Sequence, residues 1–185
     1  MALVLDGNGT MTVGNGDITG LVAGALPSTV IGAGAVLQVV STTKTDTFTS
    51  TTTAAFTDIT GFSVSITPTS ATSKIHVTVS GTCSGQSATS GSNLRLVRGS
   101  TAIGVGDAAS NRSQTTTNSY QLDANQSTPF SMNFLDSPST TSATTYKVQF
   151  RIEGGTFYFN RAQTDGDTAS VSRYASTITV MEIAG

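Results

Sequence analysis

The sequence has very few of the side chains that usually carry chemistry. Among its 185 residues are no Trp, one Cys, one His and only two Glu, and charged residues make up 11%. A single cysteine, Cys83, excludes an intrachain disulfide, and one His beside one Cys leaves no ligand set for a structural zinc ion. The scarcity of Glu argues against paired catalytic carboxylates. We therefore expect no catalytic activity, no cofactor and no metal ion.

An excess of charge of one sign is also missing. Nine basic and eleven acidic side chains are spread along the chain and give a formal net charge of −2, so we expect neither a nucleic acid nor an anionic membrane as a partner. The opening MALVLDGNG has no basic region and no long apolar run. We expect no signal peptide and no membrane anchor, and hence synthesis in a cytoplasm.

Threonine and serine take the place of the missing residues. The chain has 34 Thr and 24 Ser, which favour strands and loops, because Thr is β-branched and Ser competes with the helix backbone. Leu, Ile, Val and Phe account for only 41 residues. An all-β fold with a thin core follows, and such a core often gains its missing burial from a partner subunit.

Alternation of apolar and polar residues predicts the strands. The clearest pair covers residues 62–66 and 74–79, joined by turn residues from Pro68 to Ser73, and predicts one β-hairpin or meander. Another hairpin is expected around Gly99-Ser100. Further strands are predicted near residues 130–134, 146–152 and 157–159. Eight to ten strands with almost no helix predict an antiparallel β-sandwich of the jelly-roll type over residues 36–185.

The first and last predicted strands have apolar side chains on both faces. A sandwich core covers one face only, so the other face needs a second cover, and we interpret these residues as candidate contacts between subunits. Strict alternation sorts the eight candidates into pairs that share a face: Val36 and Val40, Leu37 and Val39, Ile178 and Val180, and Met181 and Ile183.

Residues 1–35 differ in composition from the rest. They contain Gly-Asn and Gly-Asp turns and the small-residue stretch GLVAGALPSTVIGAG, without a clear period. We predict that they form an attachment segment or linker that joins the domain to another protein.

Three places carry isolated groups that could bind a ligand. His76 lies on the polar face of its strand, which favours a surface histidine over a metal ligand. Asp165 and Asp167 flank Gly166, which is typical of a turn, with a calcium site or a polysaccharide hydrolase as the alternatives. Tyr158 points opposite to its two Phe neighbours and is either a sugar-stacking platform or a subunit contact.

Blocks along most of the chain resemble tail fibres and fibre-like structural proteins of tailed phages that infect aquatic bacteria. The blocks, in order, are MALVLDGNGTMTVGNGDITGL, GALPSTV, VLQVVSTTKTDTF, FTDITGFSVSITPTSATSKIHV, RLVRGSTAIGVGDAA, FLDSPSTTSATTYKVQFR and STITVMEI. The resemblance implies a trimeric jelly roll of the tumour-necrosis-factor type. It also implies that the first and last strands lie side by side in the sheet facing the threefold axis.

The resemblance implies a virion protein on the exterior of the tail or capsid. One reading is a homotrimeric tail fibre or fibre tip that binds a host cell-surface glycan or protein. Another is a head fibre or capsid decoration protein that binds other virion proteins through residues 1–35 and needs no receptor. A polysaccharide depolymerase would need clustered carboxylates, which the sequence does not offer.

Overall fold

Alternating side chains build two facing antiparallel sheets. The computed structural model describes residues 32–85, 91–120 and 126–185, and the regular elements in these ranges are all strands. In chain order they are β1 (Val36–Lys44), β2 (Phe48–Ser50), β3 (Thr57–Ile66), β4 (Lys74–Gly85), β5 (Ser92–Arg98), β6 (Thr101–Ile103), β7 (Thr117–Ser119), β8 (Thr128–Asp136), β9 (Thr144–Arg151), β10 (Phe157–Phe159) and β11 (Ser176–Ile183). The prediction of an all-β antiparallel sandwich is confirmed.

The first sheet, sheet I, is arranged around the long strand β4. β8 pairs with one edge of β4, while β11 and β10 follow one another along its other edge. β1 lies beyond β11, and β2 lies beyond β10. The first and last strands of the described domain therefore lie side by side.

The second sheet, sheet II, has the order β3, β9, β5, with β6 and β7 both pairing with β5. The expected hairpin around Gly99 is confirmed, since β5 pairs with β6 across a turn in which Gly99 has φ +58°. A positive φ is easily adopted by glycine because it lacks a Cβ. The two sheets together give the arrangement of a jelly roll. In the described ranges, no helix is long and apolar enough to cross a membrane.

The expected hairpin between residues 62–66 and 74–79 is wrong. β3 pairs with β9 in sheet II, whereas β4 belongs to sheet I, so the two consecutive strands lie in different sheets. Their inward side chains, among them Phe62 and Val77, meet in one core. Alternation shows which face of a strand is buried. The pattern of alternation is the same whether the next strand pairs beside the first strand or packs opposite it in the other sheet.

The core between the sheets is rich in phenylalanine. Phe150 of sheet II stacks on Phe157 of sheet I with ring centroids 4.3 Å apart, and Phe48 contacts both rings edge-on. Phe62 lies 5.0 Å from Phe159. Aromatic contacts of this kind add about 0.5–1.5 kcal/mol each beyond the burial of their area. They compensate in part for the small number of aliphatic residues.

A buried polar cluster joins the two sheets at one end. Asp136 of β8 accepts a hydrogen bond from the Tyr146 hydroxyl of β9 at 2.7 Å. It also forms an ion pair with Arg98 of β5, whose Nη1 lies 2.9 Å from the carboxylate. Burial and the neighbouring Asp136 carboxylate raise the pKa of Tyr146. The phenol therefore remains a hydrogen-bond donor at any ordinary pH.

Glu182 of β11 fastens the loop between β3 and β4. Its side chain is fully buried. One carboxylate oxygen accepts hydrogen bonds from the backbone N–H and the hydroxyl of Thr69, both at 2.7 Å, and the other accepts one from Gln38 Nε2 at 2.6 Å. Burial alone raises the pKa of Glu182, but hydrogen bonds from groups that include Gln38 and Thr69 outweigh it and lower the pKa below its ordinary value.

We expect Glu182→Gln to lower the free energy of unfolding at pH 7 by about 1.5–3 kcal/mol, the range for hydrogen bonds to a charged group. A group with a lowered folded-state pKa stabilises the fold above about pH 4.3, and this contribution disappears as the pH falls through the folded-state pKa. Urea unfolding at several pH values should therefore show the variant and the wild type converging in acid. Glu153→Gln, at an exposed ion pair with Arg151, is the control, and parallel pH profiles for wild type and Glu182→Gln would contradict the assignment.

Candidate functional site

The outer face of sheet I, the face turned away from the core, is the candidate interaction surface. In β11 the buried residues Ile178 and Val180 alternate with Met181 and Ile183, which are partly exposed. Strand pairing places four larger side chains in one row across β1, β11, β4 and β8. This row, called the apolar row after its three apolar members, consists of Val39, Met181 and Leu135, with the polar His76 between Met181 and Leu135.

The apolar row is open to solvent at both ends. Val39 is 57% exposed and Leu135 is 50% exposed, and Val36 near the start of β1 is 54% exposed. His76 lies in the middle of the row, where its Nε2 is 2.7 Å from Asn133 Oδ1. Scattered exposed apolar residues are ordinary, but a contiguous set on one face marks an interaction surface.

The rest of this face carries hydroxyl and amide groups that bond to one another. Ser41 and Thr179 hydroxyls are 2.9 Å apart, and those of Thr43 and Thr177 are 3.0 Å apart. Among the described strand residues of the face, Lys74, His76 and Tyr158 are the ionisable ones.

The outer face of sheet II is different in kind. Asp58 forms an ion pair with Lys147 at 2.7 Å and accepts a hydrogen bond from Gln149, which in turn accepts two from Arg95. Arg151 pairs with Glu153 at 2.8 Å. Depletion of charged residues distinguishes the core of a protein–protein interface from ordinary surface. By this criterion the outer face of sheet I resembles an interface core more than the outer face of sheet II does.

The structure separates the eight interface candidates. Ile178 and Val180 are fully buried in the monomer, and Val40 packs against the same core. Ile178 and Val180 are core residues, so the suggestion that they contact another subunit is wrong. Val40 is only partly buried, and its contact with a partner stays a prediction. Val36 and Val39 are exposed, and Leu37, Met181 and Ile183 are partly exposed. For these five, contact with a partner stays a prediction.

The predicted pairing of Val36 with Val40 on one face is also wrong. β1 pairs with β11 with a register shift between Val36 and Gln38. An irregularity of this kind breaks the two-residue period of a strand. Val36 is consequently exposed although Val40 packs against the core.

β1 is an edge strand among the described residues, because it pairs with β11 alone. An edge strand presents unpaired backbone N–H and C=O groups, which proteins usually protect with charge, proline or a covering element. From Val36 to Thr43 this strand has no charged residue and no proline. The unprotected edge adjoins the apolar row.

The loop between β10 and β11, residues 160–175, contains the two aspartates singled out from sequence. Asp165 lies 2.6 Å from Arg173 Nη2 and 3.3 Å from Arg161 Nη1, so two guanidinium groups occupy its carboxylate. Asp167 is exposed. Within the described ranges, no group of three or more His, Cys, Asp or Glu residues is placed to hold a metal ion.

Arg161 also organises this loop and covers Tyr158. Its Nε and Nη2 donate to the backbone carbonyls of Ala162 and Gln163 at 2.9 and 2.8 Å. Its guanidinium carbon lies 4.8 Å from the centre of the Tyr158 ring. Tyr158 projects away from the core as predicted from alternation, but one face of its ring supports Arg161. It is therefore less open to a sugar than the sequence suggested.

The loop encloses a depression of about 450 Å³. Its wall contains Thr164, Thr168, Ser170, Ser172 and Tyr174, with Ala162 and Val171 as apolar patches. Sequence reasoning did not find this site, since its residues form no motif. The sequence analysis also missed Leu135. This apolar residue is out of phase with the alternation of Phe130, Met132 and Phe134, and apolar residues on both faces were the signal that identified the first and last strands as candidates.

Cys83 is fully buried in the core. Burial raises the pKa of its thiol to about 12, only partly offset by a hydrogen bond with Ser119. We expect a colorimetric thiol reagent to modify the native protein at least about a thousandfold more slowly than the urea-unfolded protein, because only the thiolate reacts and access is closed. Cys83→Ser with Thr82→Cys moves the thiol to the partly exposed neighbouring position and should react rapidly. Equal native rates for both proteins would contradict the prediction.

No protein-family model matches the chain, and no curated protein matches it. Among solved structures, the chain is similar to a viral protein chain from a structure of infectious bursal disease virus, Gx strain, with a TM-score of 0.36 and 15% identity. The alignment covers 83% of this chain and 39% of that chain, so this chain spans well under half the length of its structural neighbour. A likeness this loose carries no argument about function.

Proposed function

We propose that the chain is a phage virion structural protein that forms a homotrimer through the outer face of sheet I, as a tail fibre or fibre-tip component in host attachment. The observation that carries the proposal is the nearly uncharged face with its apolar row beside the unprotected edge of β1. The jelly-roll fold and the adjacency of β1 and β11 agree with what the resemblance to phage fibres implies. Residues 1–35 would join the trimer to the virion, and residues 1–31 lie outside the described ranges.

The outer face of sheet I is too small to form a stable contact between subunits by itself. Four strands about 4.8 Å apart and about seven residues long, at about 3.3 Å per residue, give a face of roughly 450 Å². A stable interface buries about 800 Å² on each partner. The face alone is too small, so the contact must include more surface, and the edge of β1 is the adjoining region. A heterologous contact, which joins different surfaces of neighbouring subunits, forms a closed ring when its rotation is threefold and a filament when the rotation does not close. The proposed trimer requires the first case.

Light scattering on the purified full-length chain tests the assembly, and antibody labelling of intact virions tests the location. We expect three subunits per particle at micromolar concentration and label at the distal end of the tail. A monomer or a dimer would refute the trimer, and label on the head would replace the fibre with a capsid decoration protein. Deletion of residues 1–33 should leave a folded trimer that no longer joins virions, and normal incorporation would refute the role of that segment.

A further inference from the structure

The depression in the 160–175 loop has the construction of a preformed binding site. The loop joins β10 to β11, and long ordered connections of this kind are usually functional. Arg161 holds the carbonyls of Ala162 and Gln163, and Asp165 is held between two arginines. Backbone hydrogen bonds from Thr168 to Gly166 and from Val171 to Thr168 fix the remaining turn. A loop fixed before binding avoids part of the ordering cost that a ligand would otherwise have to overcome.

The wall of the depression favours a ligand with many hydroxyl groups. Thr164, Thr168, Ser170 and Ser172 contribute hydroxyls, and a hydroxyl can both donate and accept a hydrogen bond. The Thr168 and Ser170 hydroxyls are 3.0 Å apart and bond to one another, which leaves each with further capacity to donate or accept. The Tyr174 ring and the Val171 side chain add apolar surface. A sugar ring needs this combination, because its rim is polar while its faces carry C–H groups that pack on aromatic and aliphatic side chains. The volume of about 450 Å³ lies in the range of small-ligand sites.

Charge in the loop favours a neutral ligand. The loop contains two arginines and two aspartates, Asp165 and Asp167, so its formal charge is zero. Asp165 forms ion pairs with Arg161 and Arg173. The Nε and Nη2 atoms of Arg161 also donate hydrogen bonds to backbone carbonyls. An acidic sugar would have to compete with Asp165 for these groups.

We infer that this depression binds the terminal residue of a neutral glycan. The inference rests on the proposed function in host attachment, because it names the class of receptor that the fibre would contact. It assigns the binding role to Tyr174 and Val171, in place of Tyr158.

The experiment applies the full-length chain to a glycan array with neutral and acidic members and confirms hits by saturation-transfer NMR with the free sugar. The variants are Tyr174→Ala and Val171→Lys, and Tyr120→Ala is the control, because Tyr120 is 57% exposed and lies outside the loop. We expect wild type and Tyr120→Ala to bind the same neutral glycans, and both loop variants to lose at least about tenfold in affinity, equal to 1.4 kcal/mol. Thermal unfolding of each variant checks that the fold is retained.

Three results would overturn the inference: no neutral glycan bound by wild type, preference for acidic glycans, or full binding by both folded loop variants. A trimer present on virions without neutral-glycan binding would refute the inference and leave the proposed function standing. Neutral-glycan binding by a monomer would refute the proposed trimer and leave the inference about the depression standing.

Discussion

Asn160→Ala is expected to lower the free energy of unfolding by about 3–5 kcal/mol, which is at the upper end for a single substitution. Asn160 is fully buried at the start of the 160–175 loop. Its amide nitrogen donates to the carbonyls of Lys44 and Asp46 at 2.8 and 3.1 Å, and its amide oxygen accepts from Ser176 Oγ at 2.5 Å. Alanine would remove these three hydrogen bonds, at about 1–3 kcal/mol for each partner left buried and unsatisfied. The Ser176 hydroxyl would keep the bond that it accepts from the Thr82 N–H at 3.2 Å.

The backbone of Asn160 adds a second cost. Its φ is +61°, a left-handed conformation that asparagine tolerates and alanine resists by about 1–2 kcal/mol. Asn160→Gly removes the same hydrogen bonds without that strain, so it should be more stable than Asn160→Ala by about this amount. Urea unfolding of the three proteins measures both terms. A loss below about 1 kcal/mol for Asn160→Ala would show that the buried bonds contribute little.

Val39→Lys with Met181→Lys is expected to convert the trimer into folded monomers. The two side chains are cross-strand neighbours on the outer face of sheet I. A subunit contact would bury both ammonium groups without partners. A loss of about 2.8 kcal/mol of association free energy already raises the dissociation constant a hundredfold. Light scattering measures the stoichiometry, and circular dichroism checks the fold.

The control adds the same charge to the other sheet. Thr60→Lys with Ser63→Lys alters two exposed positions of β3 and should leave the trimer intact. Val40→Lys with Val180→Lys changes core positions and should give unfolded or insoluble protein. If Val39→Lys with Met181→Lys remains trimeric, the outer face of sheet I is not the interface.

Sequence patterns predicted the features that depend on a single strand, namely its position in the chain and its buried face. Alternation identified β4 and β9 and their buried faces, because a half-buried strand has a period of two. It could not show that β3 and β4 lie in different sheets, since both arrangements bury the same residues. It also failed at Val36, where the register shift with β11 changes the face.

In the candidate sites, too, the sequence predicted features of single strands but not contacts between distant residues. The two-sided composition of β11 was visible in the sequence, but the apolar row also needs His76 and Leu135, which the cross-strand register brings together. Arg161, Asp165 and Arg173 meet because the loop folds back on itself. Asn160 had only a weak signal, the tolerance of asparagine for positive φ.

The pairing of β1 with β11 has a consequence for synthesis in the cell. Val40 pairs with Val180, so sheet I joins residues 140 positions apart in the chain. A ribosome therefore has to deliver Ser176–Ile183 before β1 can find its neighbour, and contacts of such long sequence separation form slowly. Until then the apolar strands of the nascent chain have no complete core and are exposed to aggregation. A chain interrupted before β11 therefore cannot complete sheet I or present a finished surface for assembly.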